Sequence, residues 1–142
     1  MAVGHISDGF ADRIALATFT RSLTPLPSSY FVGLTLALPT DQNGSGLIAP
    51  SQTEYDRIEV VAEGPSWTSM GIGSRAISLS LLLLYAKALT DWGEIVGYTL
   101  YDDLTSELEI NYLGYGVLNP FTIKTDMRAQ LRPDTVVVSL PF

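Results

Sequence analysis

The chain has 142 residues, of which 46% are hydrophobic and only 16% are charged, and its formal net charge is -7 at pH 7. A chain of this length is expected to form one domain with a core of its own. Its eight lysines and arginines are scattered singly, which argues against a nucleic-acid-binding surface. The absence of cysteine excludes disulfides and thiolate metal sites.

The apolar content favours contact with another protein chain over contact with a membrane. The longest apolar run, Leu81–Ala86, is far shorter than the roughly 20 residues that a membrane-spanning helix needs. The first ten residues lack the pattern of a secretory signal, so we expect a soluble protein. A mean hydropathy of +0.24 is high for such a chain and favours an apolar interface over an unusually dry core.

The N-terminal part, residues 1–22, predicts an arm followed by a short helix. The helix begins at Ser7 or Asp8, where the carboxylate of Asp8 can cap the free amides. Apolar residues recur at helical spacing from Phe10 onward, and the helix is expected to end near Arg21. Two prolines follow and require an extended connection.

Three further segments have the alternation of β-strands. They are Tyr30–Leu38, Glu54–Ala62 and Ile77–Tyr85, and the last becomes apolar on both faces, as a strand does in the middle of a domain or in an interface. Residues 39–53 are rich in Gly, Asn, Ser and Pro and predict a long exposed loop or arm that binds a partner. The glycines of Thr68–Ser74 predict a second loop.

We expect a long antiparallel hairpin at the centre of the fold. Ile95–Tyr101 and Leu108–Leu118 both alternate with a period of two, and Asp102–Glu107 supplies carboxylates and hydroxyls suited to the turn between them. The motif Asp91-Trp92-Gly93 opens the hairpin. The residues predicted to anchor the fold are Trp67, Trp92, Gly93, Gly97, Tyr98 and Tyr112.

The C-terminal part predicts two more strands, Phe121–Thr125 and Thr135–Leu140, after a break at Asn119-Pro120. About seven strands with one early helix are typical of a mainly β domain. We therefore expect residues 1–142 to form a single antiparallel β-sandwich or a jelly-roll-like barrel.

The sequence offers no catalytic set that we can assemble. His5 is the single histidine, and no nucleophile motif of the G-x-S-x-G kind accompanies it. Asp102 and Asp103 lie near Glu107 and Glu109, and such carboxylates can bind calcium or act as an acid and base pair. Consecutive strand residues point to opposite sides, however, so a solvated turn is the better interpretation. We expect neither a cofactor, a metal nor enzyme activity.

The aromatic residues leave a sugar-binding platform open as an alternative. Tyr98 and Tyr101 are an odd number of positions apart, as are Tyr112 and Tyr115, so the members of each pair face opposite sides of a strand. Core packing and protein contacts explain them better.

Several short motifs follow one another along most of the chain. They are Tyr30-Phe31-Val32-Gly33-Leu34 followed by Pro39, Tyr55-Asp56-Arg57, Trp67, Asp91-Trp92-Gly93, Gly97–Asp102 and Tyr112–Gly116. Their order resembles that of a family of small structural proteins of tailed phages, described as tail-fibre-like or head-decoration proteins. The family would next have a glycine-aspartate turn, where this chain has Arg132-Pro133-Asp134. The resemblance implies a multimeric β-sandwich in the virion without catalytic activity.

The leading functional prediction is a capsid decoration protein that cements neighbouring major capsid subunits on the outside of the virion. Threefold positions on a capsid predict a homotrimer. A tail or tail-fibre protein involved in host attachment is the alternative, and a carbohydrate-binding module is a more remote one. Neither nucleic acid nor membrane is an expected partner. The residues expected to contact partners are His5, Phe10, Asn43, Leu47, Ile48 and Phe142.

Overall fold

The computed structural model describes residues 4–20, 26–71 and 73–139. Of these, 41% lie in strands and 12% in helices, so the domain is mainly β, as predicted. The elements, in chain order, are β1 (Gly4–Ile6), α1 (Asp8–Phe19), β2 (Ser29–Thr35), β3 (Ile58–Val61), β4 (Trp67–Ser69), β5 (Ala76–Leu79), β6 (Leu83–Lys87), β7 (Gly93–Tyr101), a 3-10 helix (Glu109–Asn111), β8 (Tyr112–Ile123), β9 (Arg128–Leu131) and β10 (Val137–Ser139).

Eight strands form one curled sheet in the order β3-β2-β7-β8-β1-β10-β5-β4, and β6 pairs with β9 in a separate ribbon. β3 and β4 lie at opposite ends of this order although only residues 62–66 connect them. Five residues span at most about 18 Å, so the sheet has to curl until its edges approach each other. The rings of Tyr30 on β2 and Trp67 on β4 meet edge to face across the opening, with centroids 5.7 Å apart.

The predicted N-terminal arm is wrong for residues 4–6, which form a strand inside the sheet. β1 pairs antiparallel with β8 and parallel with β10, so that His5 is opposite both Tyr115 and Ser139. Three residues are too few to show an alternating pattern, and their conformation is decided by two distant strands. The parallel pair is the single departure from antiparallel order among the described strands.

Helix α1 begins where the sequence predicts, but Ser7 caps it instead of Asp8. The Ser7 hydroxyl accepts a hydrogen bond from the amide of Phe10 at 3.2 Å and donates one to the carbonyl of Tyr112 at 3.0 Å. Phe10 is the one buried residue of the helix. The helix ends at Phe19, and the predicted end at Arg21 lies outside the described residues.

The central hairpin is present with different bounds. Residues 108–111 are not part of its second strand, because a 3-10 helix precedes β8 and leaves Leu108 and Ile110 exposed. The predicted break at Asn119-Pro120 is also wrong, since β8 continues to Ile123. The register passes from Ile95 opposite Phe121 to Gly97 opposite Val117, so Pro120 lies in an irregular stretch of the ladder. Such irregular stretches tolerate a residue without an N–H donor.

Four other predicted boundaries change. The strand predicted over Ile77–Tyr85 is two strands, because the chain leaves the large sheet after Leu79 and enters the ribbon at Leu83. β2 and β3 are shorter than predicted, and Tyr55 and Arg57 precede β3 instead of lying in it. The loop predicted over Thr68–Ser74 begins with strand β4. β9 was not predicted at all.

The core lies between the concave face of the sheet and the ribbon. Trp92 and Tyr98 are buried there, Tyr112 is buried on the outer face beside Tyr101 and Gly44, and Trp67 is half-buried at the edge. The Tyr98 hydroxyl donates to the carbonyl of Val137 at 2.6 Å and accepts from its amide at 3.1 Å. Burial raises the pKa of Tyr98 to about 12, so the ring stays neutral in the fold.

Glycines let the two central strands and their neighbours approach closely. Gly93 begins β7 with φ +103, a conformation that side chains disfavour. A Cβ at Gly97 would lie 2.6 Å from the carbonyl oxygen of Gly116. Gly116 in turn lies under the ring of Tyr98, opposite it in the register. Alanine at either strand position would push the hairpin apart.

The long loop is present and folds back onto the domain. The amide of Leu36 donates to the carbonyl of Ile48 at 2.7 Å, and the Asp41 carboxylate accepts from the amides of Asn43 and Ser45. Gly44 lies against the ring of Tyr112. Residues 36–57 therefore cover the outer face of β2 and β7, which explains why Gly97–Tyr101 is buried on both faces.

Candidate interaction surfaces

The carboxylates near the hairpin turn are engaged in structural contacts. Asp102 forms an ion pair with Arg13 at 2.9 Å and accepts a hydrogen bond from the side-chain amide of Asn111. Asp103 accepts from the amides of Ser106 and Thr105, and these bonds hold its pKa below the ordinary value. Within the described ranges, no group of three or more His, Asp or Glu residues is placed to hold a metal ion.

Arg57 is the centre of the contacts that hold this turn. It is 8% exposed, and its guanidinium lies 3.5 Å from the centroid of the Tyr101 ring. One of its nitrogens donates to the carbonyls of Asp103 at 2.9 Å and Ser106 at 2.8 Å. A buried cation therefore fixes the turn through backbone carbonyls and an aromatic face, which links the loop before β3 to the end of β7.

An apolar groove of about 630 Å³ lies between α1 and the β4–β5 edge of the sheet. Phe10 and Ile14 line it from the helix, Tyr30 from β2, Trp67 from the edge strand β4, and Val138 from β10. The indole nitrogen of Trp67 is buried and has no hydrogen-bond partner within the described part of the chain.

A second groove, of about 640 Å³, lies between α1 and the 3-10 helix. It brings together two residues predicted to contact partners, Phe10 and Asn43, which are far apart in sequence. Asp102 and Glu109 add carboxylates to its wall, and Ile110 adds an isoleucine side chain that is 75% exposed. The groove thus combines an acidic wall with an exposed apolar rim.

The other predicted contact residues do not join this groove. His5 is exposed on β1 with its ring 5.3 Å from that of Tyr115. Ile48 is 55% exposed and Leu47 is half-buried, both on the loop that folds back on the sheet. Phe142 lies outside the described residues. The candidate contacts are therefore spread over several sides of the domain.

A sugar-binding platform would need several exposed aromatic rings on one face. Trp92, Tyr98, Tyr101 and Tyr112 are all buried, and Tyr115 is half-buried beside His5. The most exposed aromatic side chain of the described residues is Phe19, at 85%, on the last turn of α1.

The ribbon carries a surface that sequence reasoning did not assign. Leu83, Tyr85 and Leu131 point into the core, while the alternate positions are exposed. Leu84 lies opposite Gln130, and Lys87 opposite Arg128. We call this surface the ribbon face, which comprises Leu82, Leu84, Lys87, Arg128, Gln130 and Arg132. The sequence feature that indicates this surface is the predicted strand Ile77–Tyr85, which becomes apolar on both faces.

Sequence comparison adds no family to this description. No protein-family model matches the chain, and no curated protein matches it in sequence. Of the helices described, none has the length and apolar character required to cross a membrane.

Proposed function

We propose that the chain is a non-enzymatic structural protein of a tailed-phage virion, and specifically a decoration protein that binds the outside of the capsid and cements its subunits. Its partners are the major capsid protein and further copies of itself, assembled as a trimer. The order of motifs along the chain supports the virion assignment, and the surface of the fold supports the role in assembly.

The observation that carries the proposal is the number of large apolar side chains that a well-packed domain leaves exposed. Phe19 is 85% exposed, Ile110 75% and Leu89 66%, while Leu82 and Leu84 are each about half exposed. The core itself is complete, with Ile95, Tyr98 and Val136 at 0%. Exposed apolar side chains that are neighbours on one element, as Leu82 and Leu84 are on the ribbon and Leu16 and Phe19 are on α1, favour a surface that binds another protein.

The sides on which these residues lie suit a protein that bridges several neighbours. The exposed residues of α1 and the 3-10 helix lie at the turn end of the central hairpin, and the ribbon extends from its open end. A small protein that touches neighbours at both ends can tie them together, and this is what a shell under internal pressure requires. A tail protein also needs surfaces that bind neighbouring proteins, but it is present in fewer copies per virion than a capsid decoration protein.

Heat challenge of particles tests the proposal. Virions that lack the chain are expected to release their DNA at a lower temperature than complete virions, and addition of the purified chain is expected to restore the higher temperature. Addition of a heat-denatured sample is the control. Particles that lack the chain but resist heat as well as complete virions, while failing to attach to host cells, would contradict the decoration role and support the tail alternative.

A further inference from the structure

Charge is distributed unevenly over this acidic domain, which carries a net charge of -7. Four of its eight basic residues lie in the ribbon or beside it, namely Lys87, Lys124, Arg128 and Arg132. Lys87 has a nearby carboxylate, that of Asp126 at 3.4 Å, on an exposed turn. Among the described residues Arg128 and Arg132 make no ion pair. The ribbon face is therefore a basic surface with exposed leucines on a protein that is acidic elsewhere.

The end of the domain around α1 has the complementary character. Asp12 and Glu109 are exposed there, and Leu16 and Ile110 are 48% and 75% exposed. The second groove joins the two elements, because Gly9 and Arg13 of α1 line it together with Glu109 and Ile110. Arg13 forms an ion pair with Asp102 at 2.9 Å. We call this surface the helix face, which comprises Asp12, Leu16, Phe19, Glu109 and Ile110.

The helix face lies at the turn end of the β7–β8 hairpin, whereas the ribbon extends from the open end of the hairpin. The amide of Ser7 donates to the carbonyl of Leu113, which places α1 beside the beginning of β8. The amide of Ala88 donates to the carbonyl of Met127, and that of Trp92 donates to the carbonyl of Ile123, which places the ribbon beside the end of β8. From there the ribbon folds back over the sheet, because the Tyr85 hydroxyl donates to the carbonyl of Val32 at 2.8 Å, opposite Leu100.

We propose that the ribbon face of one copy binds the helix face of the next copy. Leucines then pack against Leu16, Phe19 and Ile110, and Arg128 and Arg132 meet Asp12 and Glu109. This inference rests on the proposed function in that it specifies how the copies associate. A trimer cannot be built from a patch that binds its own copy by twofold symmetry, because a threefold ring needs two different patches on every subunit. The domain offers two such patches, apolar at their centres and opposite in charge.

Two pairs of charge reversals test the contact. Arg128→Glu with Arg132→Glu disables the ribbon face, and Asp12→Lys with Glu109→Lys disables the helix face. All four positions are exposed, so the fold is expected to persist, and thermal melting followed by circular dichroism checks this. Arg75→Glu and Glu59→Lys are exposed controls that belong to neither face, and Arg75 lines the separate apolar groove. Like charges across an interface are costly, so each double variant is expected to weaken association by roughly 100-fold or more.

Sedimentation of the full chain gives the readout. The wild type and the controls are expected at three times the 15.4 kDa chain mass, and both double variants as monomers. In an equimolar mixture the unchanged ribbon and helix faces are complementary, and the two reversed faces again carry opposite charges, so the two variants are expected to associate with each other although neither associates with itself. Added salt should weaken all of these assemblies.

Several outcomes would overturn the contact. They are a monomeric wild type, a mixture that stays monomeric, and assembly that survives in either double variant. If the wild type is monomeric and the Arg128→Glu, Arg132→Glu variant no longer binds particles, the ribbon face binds an acidic surface of a different protein and not another copy of this chain. These results are separate from the heat challenge of virions, because the copies can associate in solution whether or not a capsid is their destination.

Discussion

Trp92→Ala is expected to lower the free energy of unfolding by about 3 to 5 kcal/mol. The indole is 3% exposed and lies where the ribbon joins the start of β7. Its ring meets that of Tyr55 edge to face, with centroids 5.5 Å apart. Alanine would leave a cavity between the sheet and the ribbon. Neighbouring side chains could fill this cavity only if the sheet or the ribbon moved.

The indole nitrogen adds a second, separable contribution. It donates to the Glu54 carboxylate at 2.9 Å, and the same oxygen accepts from the amide of Leu89 at 2.8 Å. The bond from the Trp92 side chain is the main reason that the pKa of Glu54 lies below its ordinary value. Trp92→Phe keeps most of the ring and removes the donor, so it should cost less than alanine. Urea unfolding followed by circular dichroism measures both, and a loss under about 1 kcal/mol for alanine would show that the indole does not anchor the core.

Arg57→Ala is expected to lower the free energy of unfolding by about 2 to 4 kcal/mol. The substitution removes a cation from the face of Tyr101 and leaves the carbonyls of Asp103 and Ser106 without their donor. The effect should be largest in the turn between β7 and the 3-10 helix, where amide hydrogen exchange would accelerate. Urea unfolding gives the global effect, and exchange gives its location.

Arg57→Lys is the matched control, because it keeps the charge and loses the planar group that stacks on the ring. An intermediate loss is expected. Asp56→Ala changes an exposed neighbour and should shift the free energy of unfolding by less than about 0.5 kcal/mol. A turn whose exchange rates are the same in Arg57→Ala and in the wild type would refute the role of Arg57 as its anchor.

The sequence predicted the elements that local pattern decides. The start of α1 was visible because a capping residue precedes apolar residues at helical spacing, and β2 and β7 were visible because their apolar residues alternate. The elements that the sequence does not predict depend on strands that are distant in the chain. β1 is a strand because β8 and β10 flank it, and Pro120 remains in β8 because the ladder there is irregular. Neither cause can be read from nearby residues.

The candidate interaction surfaces also depend on residues that are distant in sequence. Phe10 and Asn43 were singled out separately, and only the folding of the long loop against Tyr112 brings them to one groove. The strand predicted over Ile77–Tyr85 was expected in the core or in an interface, and its C-terminal part forms β6, in which Leu83 is buried and Leu84 is exposed. The charges of Arg128 and Arg132 cannot be recognised as one surface in the sequence, because β9 has only four residues and they come together only when β9 pairs with β6.

The number of copies per virion tests the central claim most directly. Quantitative mass spectrometry of purified particles would compare peptides of this chain with peptides of the major capsid protein. A capsid decoration protein is expected in hundreds of copies, near one for each capsid subunit. A few copies to a few dozen would match the symmetry of a tail, and the complete absence of the chain from particles would contradict a virion role of either kind.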